Sequence, residues 1–240
     1  KYINAVTSPY IMVPSENFPT IKSAYLAIVL YMDKLEHENT HISSSKYSNI
    51  KNRIPEIWLK EGDHYNTVYQ FEHPIAIRGC DKNKTIINNG LIFKIKNLNK
   101  FNTYLTNLSI TNNTSVNDYY KSGINYTGKP YIYIDNCKIF KCEGAGIRSS
   151  NGYLIISNSE IFNNNKAGIH IWGESTKFHL INLDVHTNKT GIMIGNIVEN
   201  NILENIKCHH NSGAGISIGG FDGVGKSVII GNKTDVSFNN

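Results

Sequence analysis

Long apolar runs are missing from this sequence, and with them any segment that could cross a bilayer as a helix, so a soluble chain is expected and no membrane partner. Charge of one sign is never gathered into a block. The net charge is +5, yet the Lys and Arg residues are scattered, whereas a nucleic-acid groove needs a clustered basic stripe, so no nucleic-acid partner is expected. Cysteine is sparse: Cys80, Cys137, Cys142 and Cys208 show neither a CxxC nor a Cys/His zinc spacing, which argues against a disulfide scaffold and a structural zinc. No charged-then-apolar leader follows Lys1, so either a leader has been removed or the chain is trimmed, and location is left open between secreted and virion-borne. Only two tryptophans occur, Trp58 and Trp172.

What is plentiful is asparagine, and it is periodic. The dipeptide Gly-Ile recurs at Gly123, Gly146, Gly168, Gly191 and Gly215, with spacings of 23, 22, 23 and 24 residues. A second column runs through Asn107, Asn136, Asn158, Asn182 and Asn205, the last four lying nine or ten residues before their glycines. Two columns holding one period mark a repeat architecture. Three positions after each Asn stand Ile110, Ile139, Ile161, Val185 and Cys208; two before stand Leu105, Ile134, Ile156, Leu180 and Leu203. These are short strands of period two, β-branched and separated by Asn/Gly turns. One repeat therefore makes one coil of about three strands, and like residues stack at roughly 4.8 Å. Aliphatic ladders fill the bore, the Asn column bonds from coil to coil, and glycine is expected to take backbone conformations that other residues resist. Cys137 and Cys208 fall at inward positions, as small apolar fillers.

The fold class expected is all-β: a right-handed parallel β-helix with an N-terminal capping α-helix. In Ile21, Tyr25, Ile28, Met32 and Leu35 one apolar helical face recurs, with Thr20 as N-cap. Such a helix plugs the open bore and protects the first strand edge. Residues 1–56 form this cap and a polar linker (Asn39 to Asn52), and residues 57–240 the β-helix, together one domain. Strands resume at Ile57–Leu59, Ile75–Ile77, Thr85–Ile87 and Leu91–Ile95. The last coil stops without a visible cap, so a further domain, another chain or additional sequence is expected to cover it.

The segments Ile57-Trp58-Leu59-Lys60-Glu61-Gly62-Asp63-His64-Tyr65, Pro74-Ile75-Ala76-Ile77-Arg78-Gly79 and Lys84-Thr85-Ile86-Ile87 resemble the opening coils of the pectin lyase-like superfamily. The Asn…Gly-Ile repeats resemble those shared by carbohydrate-binding proteins and sugar hydrolases. The resemblance covers roughly residues 20 to 240 and implies the fold, with carbohydrate as the expected ligand. The Asn-rich bias also resembles proteins of large DNA viruses. Among enzymes of the fold, the resemblance implies acidic calcium ligands with an Arg base for pectate lyases. It implies Asn-Thr-Asp, Asp-Asp and Gly-His-Gly for polygalacturonases, and a pair of Asp with an Arg for methylesterases. This chain has no Asp-Asp, no Gly-His-Gly and no second Asp matching Asp184, so no catalytic set carries over.

Alternation then assigns the outer surface. Two positions after each Asn lie Ser109, Lys138, Glu160, Asp184 and Lys207; four after lie Thr111, Phe140, Phe162, His186 and His209. Beyond the glycines lie Asn125, Arg148, His170, Met193 and Ser217, with Ser150 and Trp172 two residues further. The longer span from Asn107 to Gly123 puts a loop with Tyr119 and Tyr120 at its tip over this surface. Glu160 and Asp184 on adjacent coils read as an acid/base pair for glycoside hydrolysis, mutual repulsion raising one pKa. The reading that the order Lys-Glu-Asp-Lys favours is a salt ladder, Lys138 with Glu160 and Asp184 with Lys207. No coordination motif supports a metal at His186, His209 and His210 with Asp184, and no metal or cofactor is expected. Arg148, His170 and Trp172, with Tyr119 and Tyr120, form the ligand site that suits a sugar ring, by stacking and hydrogen bonds. Three functions follow in order: a glycan-binding or surface-recognition module without catalysis; a polysaccharide lyase or hydrolase; a structural or docking solenoid, with homo-oligomers open.

Overall fold

The computed structural model describes residues 10–39, 54–95, 101–113, 121–173, 176–195, 201–219, 228–231, 234–237 and 239. Tyr119, Tyr120 and most of the linker lie outside them. The strands form a parallel β-helix with three faces. The first carries Tyr131–Asp135 and Tyr153–Ser157, the second Lys138–Cys142 and Glu160–Phe162. The third carries Ile147–Ser150, Ala167–Trp172, Thr190–Gly195 and Ile216–Gly219. In the later coils Lys177–His186 and Asn201–His209 run through the bend between the first two faces, which joins them into a 15-stranded sheet; the third face is a separate six-stranded sheet.

The bore is filled as the period requires. Ile110, Ile139, Ile161, Val185 and Cys208 are fully buried, as are Leu105, Ile134, Ile156, Leu180 and Leu203, and Ile124, Ile147, Ile169 and Ile192. Like residues stack in register, Ile147 on Ile169 on Ile192 on Ile216. Cys142 joins Cys137 and Cys208 in the core, and burial pushes all three thiols up to about 12.

Two asparagine columns hold the bends. At the first bend Asn107, Asn136, Asn158, Asn182 and Asn205 all take left-handed backbone, with φ between 50° and 57°, which Asn tolerates better than most residues. Their side chains chain along the axis: Asn136 Nδ2 donates to Asn107 (2.8 Å), Asn182 to Asn158 (3.1 Å) and Asn205 to Asn182 (2.8 Å). The second column, at the next bend, was not foreseen and is buried: Asn164 donates to Asn188 (2.9 Å), Asn188 to Asn211 (3.2 Å) and Asn211 to Asn239 (2.9 Å). The repeat glycines correct the reading of them as turn residues. None has positive φ; a Cβ on Gly146 would lie 2.7 Å from the Gly168 carbonyl oxygen and 2.8 Å from Ile161 in the bore. They are demanded by close approach between coils, not by conformation.

The capping helix spans Ile21–Asn39. Thr20 Oγ1 accepts the Ser23 N–H and Ser23 Oγ accepts the Thr20 N–H, both at 3.1 Å, a reciprocal cap. Ile21, Ala24, Tyr25 and Ile28 are buried, and Tyr25 packs edge-on against Phe71 while its hydroxyl accepts the Glu72 N–H. Tyr10–Val13 adds an unforeseen strand, paired parallel with Glu56–Leu59. Among the described residues no helix is long and apolar enough to cross a membrane.

Candidate functional site

Two rows of side chains leave the third face. Register puts Asn125, Arg148, His170, Met193 and Ser217 in one row, and Ser150, Trp172, Gly195 and Gly219 in the other. The indole of Trp172 is half-buried. Its ring centroid lies 4.4 Å from Arg148 Cζ and 4.5 Å from the His170 ring, so the three residues form one cluster. The cation against the indole face is a stabilising contact, stronger when desolvated. Burial, then the charges of Arg148 and Lys166, hold His170 below its usual pKa, so near neutral pH its imidazole both donates and accepts.

Beyond Trp172 the row loses its side chains. Among the described residues, a Cβ on Gly195 would meet only the Gly219 carbonyl oxygen, at 3.4 Å, and one on Gly219 nothing within 4 Å. The next coils therefore form a step beside the indole, with Met193 44% exposed in the adjoining row. Sequence reasoning missed this step, although aligning the repeats four residues after each Gly-Ile glycine spells Ser150, Trp172, Gly195, Gly219. It also missed Asn125, whose row was assigned correctly but which is buried (2% exposed).

Glu160 and Asp184 occupy the second face, in the register Lys138, Glu160, Asp184, Lys207. Glu160 meets Lys138 Nζ at 3.3 Å and His186 Nε2 at 3.2 Å. Burial alone would push its carboxyl up; His186 and Lys138 outweigh burial and hold it below the usual carboxylate range. At Glu160 this runs against the expected rise of one pKa in the pair, because Lys138 and His186 face its carboxylate. Asp184 pairs with His209 Nε2 at 2.8 Å rather than with Lys207, which makes no ion pair among the described residues. The imidazoles continue an outward ring stack: Phe140 on Phe162 (5.1 Å), Phe162 on His186 (5.2 Å), His186 on His209 (5.1 Å). An open groove of about 540 Å³ follows this bend, lined by the three exposed asparagines of the later coils, Glu160, Asp184, Lys82 and Lys207. Among the described residues no group of three His, Cys, Asp or Glu is placed to hold a metal ion.

A stacked three-faced coil with aliphatic ladders and asparagine bends defines the class: a parallel β-helix. The chain belongs to the family described as the right handed beta helix region, whose model matches residues 35–196 and 99–239. No curated protein matches it in sequence. Solved structures share its fold. The A-modules of the mannuronan C-5 epimerases AlgE6 and AlgE4 of Azotobacter vinelandii superpose with TM-scores of 0.59 and 0.56, at 13% and 11% identity. Each alignment covers 86% of this chain but 58% of the module. The pectin methylesterase PemA of Erwinia chrysanthemi superposes with a TM-score of 0.50 at 11% identity, covering 95% of this chain and 92% of that one.

Proposed function

We propose that the chain is a β-helix module that recognises a glycan at Trp172 on its third face and does not cleave it. The observation that carries this reading is the half-buried indole in contact with Arg148 at 4.4 Å, at the edge of the Gly195–Gly219 step. An aromatic wall beside a flat floor suits the apolar face of a pyranose, and Arg148 and His170 suit its hydroxyls. No carboxylate stands in either row among the described residues, so neither row supplies the acid and base that glycosidic cleavage needs. The fold neighbours include an epimerase of mannuronan and a pectin methylesterase, which supports a carbohydrate as ligand. On this reading the module works where glycans are displayed, on a secreted or virion-borne protein. The test is a glycan array together with a polysaccharide-degradation screen. Trp172→Ala should weaken glycan binding by about 1–3 kcal/mol and leave thermal melting nearly unchanged. A variant that melts far earlier yet binds normally would make Trp172 a core residue and end the claim.

One observation favours a second reading, polysaccharide cleavage on the second face: two carboxylates of adjacent coils line one open groove, and each is in contact with an imidazole. The lowered pKa of Glu160 and its ion pairs speak for the salt ladder instead. Glu160→Gln and Asp184→Asn should both fold and keep glycan affinity within about tenfold, since paired surface charges contribute little. A polysaccharide-cleaving activity present in the parent and lost in both, with binding retained, would reverse the ranking.

A further inference from the structure

We propose that Asn125 is the polar floor of the Trp172 site and hydrogen-bonds a vicinal diol of a pyranose; the proposal rests on reading that face as a glycan site. Asn125 belongs to the outward row, directly below Arg148, yet it is 2% exposed and neither Oδ1 nor Nδ2 has a hydrogen-bond partner. Buried amides left without partners are rare in folded proteins and costly. The other buried asparagines of this solenoid show how the fold normally meets that demand. Asn164, Asn188 and Asn211 each stand above or below another asparagine and pair with it. Asn125 stacks between Ile92 and Arg148, neither of which offers an acceptor to its Nδ2, so the ladder cannot satisfy it.

The chemistry of the empty partner position selects the ligand. An Asn side chain presents an acceptor and a donor side by side. A carboxylate only accepts and an ammonium only donates, so each answers half of it. An extended acetamido group points its N–H and C=O in opposite directions. Two neighbouring hydroxyls on a sugar ring answer both at once: one donates to Oδ1, the other accepts from Nδ2. The indole of Trp172 lies against Arg148, whose register partner on the preceding coil is Asn125, so ring, guanidinium and amide belong to one face over three successive coils. Arg148 lies next to Asn125 in the row, so on this proposal its side chain has to move for a sugar to reach the buried amide.

The test uses the whole chain with three probes: the methyl glycosides of mannose, galactose and glucose. Each is paired with its monodeoxy counterparts lacking one hydroxyl of a diol. Affinity is read by isothermal titration calorimetry in every variant, with the Trp172 indole N–H signal in NMR titrations marking the site wherever Trp172 is present, and melting is followed in parallel. Asn125→Leu removes both unpaired polar atoms at similar volume, so it should melt at or above the parent temperature while binding the best glycoside about tenfold more weakly or worse. Deleting one diol hydroxyl should weaken binding to the parent protein and change nothing further in the variant. Asn125→Ala repeats the measurement should the leucine disturb packing. Unchanged affinity in both variants, with Trp172→Ala defective, overturns the role of Asn125 and leaves the glycan site standing. If no glycoside moves the indole signal of the parent protein, the glycan reading falls and this proposal with it.

Discussion

His170 sits where burial and two cations act in one direction, and the consequence is a stability that depends on pH. Its folded pKa lies below the unfolded value of about 6.5, so in the window between them the unfolded chain binds more protons than the folded one. Stability is therefore full above pH 6.5 and is lost as pH falls through that window. Melting measured from pH 7.5 down to 5 should fall less steeply in His170→Gln than in the parent; equal slopes would show that the imidazole is as easily protonated in the fold as out of it. Strand alternation alone placed His170, Arg148 and Trp172 on one face. Nothing in it indicated that Asp184 would turn to His209 rather than to Lys207, because that choice depends on side-chain reach.

The bends show how the same residue type does different work in different elements. Asn182 is exposed, in left-handed backbone, with a chain of single side-chain bonds along the axis. Asn188 is 3% exposed and donates to the Ile161 and His186 carbonyls and to Asn211, while its Oδ1 accepts from Asn164. Removing it strands several buried groups. Asn188→Ala should cost about 3 kcal/mol or more, and Asn182→Ala about 1 kcal/mol, as measured by denaturant unfolding. Equal losses would mean that the buried column is no more than a spacer. The buried column was hidden in the sequence by sheer abundance of asparagine. In Asn163-Asn164-Asn165 only the middle residue points inward, and only the bend geometry says so.

At the scale of the whole molecule the bore is one continuous apolar core, covered at its start by the helix Ile21–Asn39. Three of the four thiols lie inside it, at 0–1% exposure, and Cys80 lies outside. A thiol reagent should label Cys80 alone in the native protein and all four cysteines after denaturation, since buried thiols are inert. Rapid labelling of Cys142 or Cys208 without loss of structure would mean that single coils open independently, as the nearest-neighbour energetics of solenoids permit.

The sequence by itself determined the period, the coil, the inward ladders, the capping helix and the residues free to face outward. It could do so because a solenoid repeats one local rule: alternation picks the face, and a fixed spacing stacks each residue on its like. Tertiary structure alone decided what each outward residue touches. It closed Trp172 onto Arg148 and His170, gave each carboxylate its own imidazole, and buried Asn125 without a partner. Those outcomes turn on rotamers and on contacts between neighbouring coils. A periodic pattern carries no information about either, since it repeats the residue's place and not its surroundings.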